Sequence, residues 1–136
     1  MNATIPTSMF GKDHWSTFGY AECRIVDNSG RPQREHMRCD PARHPAHAHL
    51  GSTMGSPSPT RLKGGVECPS HDDWDCIDDL EAAGLLTTGG TGLFPTWALT
   101  NKGRRVAAEL RAHKAKRGSF GDFTPSEDAI RDHPAD

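Results

Sequence analysis

Between Trp74 and Gly84 the apolar positions fall three or four apart, at Trp74, Ile77 and Leu80, with polar residues filling the gaps. That spacing is the stripe of an amphipathic helix, and Gly84 stands where such a helix can exit through a left-handed residue. Ser70, three positions before Asp73, predicts a capping box at its start. Leu85 and Leu86 then begin a strand, residues 87–92 (TTGGTG) read as a glycine-rich turn, and residues 93–99 return. Pro95 marks the start of that second strand as an edge. Thr100 predicts the cap of a last helix running to about Lys116, with Val106, Ala107 and Leu110 facing inward.

Upstream the pattern is different. Residues 15–27 (WSTFGYAECRIVD) carry aromatic and β-branched residues at strand density, and the turn signal DNSG follows. This predicts an N-terminal β-hairpin; its partner segment, 33–40, reads equally as a strand or as one helical turn. Residues 41–65 are rich in proline and glycine and have no period, which predicts a long loop or disordered insertion. The expected organisation is a flexible leader (1–13), one small α+β domain (14–117) whose second part (70–117) is helix–hairpin–helix, and a flexible acidic tail (118–136).

Composition narrows the class. A chain of 136 residues with 34% hydrophobic content, 14 glycines and 10 prolines can build one modest core. No apolar run approaches a membrane span, and the first residues lack the charged-then-apolar pattern of a signal peptide, so a soluble cytoplasmic protein is expected. The four cysteines form no CxxC pair, which favours buried thiols or metal ligands over disulfides.

From Leu80-Glu81-Ala82-Ala83-Gly84-Leu85-Leu86 through the loop 87–92 to Trp97-Ala98-Leu99-Thr100-Asn101-Lys102-Gly103-Arg104, the text resembles the second half of a winged-helix domain of the MarR or PadR type. There a helix ending L-x-x-x-G-L-[LIV] leads into a β-hairpin wing that closes on [YW]-x-L-T-x-x-G-[KR]. The resemblance implies a DNA-binding fold whose first helix of this unit lies in the major groove, with a dimer open as an alternative to a monomer. Such domains place two further helices before that one, where this chain has its predicted hairpin and loop. The N-terminal text, DHWSTFGYAECRIVD…MRCDPARHP, also resembles small bacteriophage and prophage proteins.

Charge argues against ordinary groove reading. Residues 71–98 hold six acids and no lysine or arginine. Affinity for nucleic acid rests largely on basic side chains that neutralise phosphates, so this helix would be repelled. Two readings of the acids stand side by side. They are a solvated face, with the first ones favoured by the helix dipole, or a working surface at Asp72, Asp75, Asp78, Asp79 and Glu81. The second implies a non-enzymatic accessory protein that binds a host or defence protein, as an inhibitor or DNA mimic.

The opposite charge follows at once. Arg104, Arg105, Arg111, Lys114, Lys116 and Arg117 lie on or just past the last helix. With the wing they offer the alternative, a transcriptional regulator contacting DNA through this basic helix. For metal, Cys39, His44, Cys68 and His71 supply a zinc-compatible donor set, which would be a structural zinc joining hairpin to helix. No motif of nucleophilic, phosphate-binding or metalloprotease chemistry occurs, so an enzyme is not expected.

Overall fold

The computed structural model describes residues 5–28, 30–31, 37–38, 51–52, 60–68, 71–90 and 95–131. The architecture is α+β. Helix α1 (Lys12–Asn28) is followed by the short strands β1 (Met37–Arg38), β2 (Gly51–Ser52), β3 (Thr60–Arg61) and β4 (Glu67–Cys68). Then come α2 (Asp73–Ala82), the strands β5 (Leu86–Gly90) and β6 (Pro95–Leu99), α3 (Asn101–Ala115) and the single turn α4 (Glu127–Ile130). Strands pair as β1 with β2 in parallel, β3 with β4 antiparallel and β5 with β6 antiparallel. No helix among the described residues is long and apolar enough to cross a membrane.

The C-terminal unit follows its sequence pattern. Trp74, Ile77 and Leu80 bury the inner stripe of α2. Gly84 takes φ +79° and turns the chain out of the helix, and Leu85 and Leu86 enter the core. Thr100 caps α3 by accepting from the Gly103 N–H at 2.8 Å, while its hydroxyl donates to the Gly84 carbonyl at 2.5 Å. One side chain thereby ties the end of α2 to the start of α3. Two details differ from expectation. The α2 cap is Asp72, boxed with Asp75, and β5 continues through Gly90, so Gly89 and Gly90 belong to the strand. Ser70 lies outside the described residues.

The predicted N-terminal β-hairpin is a helix. Trp15, Phe18 and Ala21 are buried and Ile25 is half-buried, three or four apart along α1, so burial of a helical stripe overrides the strand propensity of the aromatic and branched residues. The DNSG turn is the exit of that helix. Gly30, at φ +77°, lies so close to Trp97 of β6 that a Cβ would collide with the Trp97 backbone. Their pairing is fixed by the Trp97 N–H donating to the Gly30 carbonyl at 2.9 Å.

Both ends expected to be flexible join the core where they are described. In the leader, Phe10 is buried and Gly11 packs against the Leu62 backbone. In the tail, Phe123 is buried edge-on against Trp15, with ring centroids 4.9 Å apart. Ala129 of α4 is buried too, and Arg105 donates to the Ala129 carbonyl at 3.3 Å. A chain with few apolar residues uses these distant aromatics to complete its one core. Within the segment 41–65, Thr60 of β3 is fully buried; residues 41–50 and 53–59 lie outside the described residues.

Candidate functional site

The acids of α2 divide by direction. Asp72 is 1% exposed and serves the helix cap; Asp75 closes that cap by accepting from the Asp72 N–H at 2.9 Å. Glu81 accepts from the Thr88 N–H and hydroxyl at 3.0 and 2.8 Å, clamping β5 to the helix. Asp79 is 4% exposed and faces the interior. Of the five acids expected to form a partner surface, Asp72 and Asp79 are therefore inside the molecule. They flank Cys76 on the buried side of the helix, Asp72 four positions before it and Asp79 three after. Asp78 and Glu81 are exposed, and Asp75 is half-buried, as is Asp73 beside them.

Asp79 is the centre of a buried polar cluster. Its Oδ2 accepts from Nε2 of His14 at 2.8 Å and lies 2.8 Å from Nε2 of His71, while Oδ1 accepts from the Ile5 N–H at 3.1 Å. Four parts of the chain meet here: the leader at Ile5, the first turn of α1, the residue before the α2 cap, and the second half of α2. Burial by itself would raise the Asp79 carboxyl. The hydrogen bonds from His14, His71 and Ile5 outweigh it and hold the carboxyl below its usual 3.8.

Each ring has its own support. His14 is fully buried and stacks on Phe10, with centroids 4.2 Å apart and planes within 6°; its Nδ1 has no hydrogen-bond partner among the described residues. His71 is held on its other nitrogen. The Thr60 hydroxyl donates to the His71 carbonyl at 2.6 Å, and its oxygen lies 2.9 Å from His71 Nδ1. Thr60 thus grips both the ring and the backbone of His71. Nε2 is then the nitrogen left to face Asp79. The Cys76 thiol lies 4.0 Å from Nδ1 but is fully buried, and Thr60 is closer to the same nitrogen.

The zinc set expected from sequence keeps one member. His71 belongs to the group of metal-capable side chains that converges, and its companions are His14 and Asp79. Cys68 sits on β4 outside that group, and Cys39 and His44 lie outside the described residues. His14 went unmarked because it stands just ahead of the segment read as a strand, 15–27, with no metal-capable neighbour at a familiar spacing. Its distance of 65 positions from Asp79 leaves no local spacing to notice.

The basic residues are partly occupied within the molecule. Arg111 pairs with Glu22 of α1, Lys114 sits 4.3 Å above the Phe120 ring, and Arg105 donates to the carbonyls of Ala129 and Arg131. Arg104, which donates to Asn101 Oδ1, is exposed, as are Lys116 and Arg117 beyond the helix. No family model, curated protein or solved structure matches the chain.

Proposed function

We propose that the protein works by binding and not by catalysis, and that the outward face of α2 receives a basic surface of a protein partner. The observation that carries this reading is the one-sided charge of the helix. Residues 73–82 contain no lysine or arginine, Asp78 and Glu81 are exposed, and Asp73 and Asp75 are half-buried beside them. The same helix is anchored on its inner side by Trp74, Ile77, Leu80 and Asp79. A fixed row of carboxylates presents a field complementary to nucleic-acid-binding proteins, whose channels are basic. This suits a phage or mobile-element accessory protein that inhibits a host factor by imitating DNA. Asp72 and Asp79 have no part in this surface, which leaves Asp75, Asp78 and Glu81 of the expected acids and adds Asp73 beside them.

The test is capture from a bacterial lysate by the wild type and by the double variant Asp73→Asn/Asp78→Asn, with duplex DNA as competitor. The reading expects a partner that is lost with the double variant and displaced by DNA. Capture that survives both would contradict it.

A second reading, DNA binding through the basic helix, draws on Arg104, Lys116 and Arg117, which are exposed. It expects DNA retention at low salt that falls steeply as salt is added and weakens on changing these three to alanine. No retention at low salt would remove it.

A further inference from the structure

We propose that His14, His71 and Asp79 form a binding site for a first-row divalent metal ion, with zinc as the natural candidate. One ring nitrogen of each histidine and an Asp79 carboxylate oxygen lie within 4.8 Å of one another, Nε2 of each histidine is 2.8 Å from Asp79 Oδ2, and all three residues are buried. Two nitrogens and one carboxylate oxygen suit zinc and its neighbours, whereas magnesium and calcium take oxygen ligands.

The hydrogen bonds around the cluster prepare it for a cation. Thr60 Oγ1 lies 2.9 Å from Nδ1 of His71 and donates to the His71 carbonyl at 2.6 Å, which fixes the ring with Nε2 toward Asp79. Nε2 of His71 and Nε2 of His14 converge on one carboxylate oxygen, each at 2.8 Å. Three groups able to give a lone pair to a cation therefore meet at one buried point. The outer contacts match those that orient metal ligands, a hydroxyl on the far nitrogen of a histidine and a backbone N–H on the second carboxylate oxygen.

The two nitrogen–oxygen contacts are already close to what an ion needs. Metal–ligand bonds of about 2.0–2.2 Å in a tetrahedron set ligand atoms about 3.3 Å apart. Opening each 2.8 Å nitrogen–oxygen contact by about half an ångström would admit the ion. The ion would cross-link α1, α2 and the segment before α2, at a place where a chain of modest apolar content gains most from a staple. His14, whose plane is set by stacking on Phe10 and by no second hydrogen bond among the described residues, would be the more adjustable ligand.

Zinc chloride is titrated into chelator-treated full-length protein by calorimetry, with melting followed in parallel. One zinc per chain and a rise in melting temperature reversed by chelator are expected. Binding is expected to weaken at least about 100-fold in His14→Gln, His71→Gln and Asp79→Asn. It should be retained when Cys39, His44, His47, His49 and Cys68 are changed together to alanine or serine. Because the first three variants remove core contacts, X-ray absorption of the zinc-loaded wild type supplies a test without mutation. A shell of nitrogen and oxygen with two imidazoles supports the site. A sulfur-containing shell, binding lost only in the loop variant, or no stoichiometric zinc at all would overturn it.

Discussion

His14 and Asp79, 65 positions apart in the chain, meet at 2.8 Å in the interior, and His71 reaches the same carboxylate oxygen from the other side. A carboxylate that looks in sequence like one more charge on an acidic helix is instead what joins that helix to α1. The acid-rich stretch therefore has two separate jobs, with Asp72 and Asp79 inward and Asp78 and Glu81 outward.

Acid should undo this junction in a defined direction. The Asp79 carboxyl lies below its usual 3.8 in the folded protein. The stability it contributes is complete above that value and is lost as pH falls through the lowered one. In metal-free protein, the gap in melting temperature between wild type and Asp79→Asn is expected to close as pH falls below about 4. A gap that stays constant down to pH 2 would deny Asp79 this role.

The docking of the tail gives a second expectation. Phe123 packs on Trp15 and lies 5.4 Å from the His113 ring, inside the core. Phe123→Ala should cost about 3–5 kcal/mol, the usual loss for emptying a buried aromatic site. Denaturant unfolding measures it directly. A loss below about 1 kcal/mol would mean that the tail is dispensable.

Two glycines in helices should respond with opposite signs. At Gly103 in α3 a Cβ would run into the Leu85 carbonyl, whereas at Gly19 in α1 it would meet the Phe120 ring at 3.6 Å and the Leu110 side chain at 3.8 Å, both ordinary contacts. Replacing a helical glycine by alanine gains up to about 1 kcal/mol from backbone preference. Gly19→Ala is expected to show that gain, while Gly103→Ala should lose about 1–3 kcal/mol because overpacking outweighs it. Equal signs in denaturant melts would contradict the packing of α3 on the end of α2.

The sequence was most legible where structure is local. The stripe Trp74, Ile77, Leu80, the left-handed exit at Gly84 and the Thr100 cap each depend on residues within a few positions, and each is found in the fold. The N-terminal helix was misread because Trp15, Phe18, Tyr20, Ile25 and Val26 favour strands by type. The helical spacing of Trp15, Phe18, Ala21 and Ile25 was the better signal. Asp79 was hidden for another reason. A buried carboxylate is acceptable only with donors close by, and those donors, His14 and His71, come together through tertiary folding alone. The spacing of Asp79 from Cys76, three positions on the same side of α2, was the one local hint that it turns inward.

The division of the acids is tested most directly by comparing the thermal melts of Asp79→Asn and Asp78→Asn, neighbours of identical chemistry. Breaking one partner of a buried charged cluster costs about 3–5 kcal/mol, which for a chain of this size lowers the melting temperature by roughly 10 °C or more. An exposed substitution should stay within about 2 °C of the wild type. The account predicts that large difference between adjacent positions. Equal melting temperatures for the two variants would contradict it.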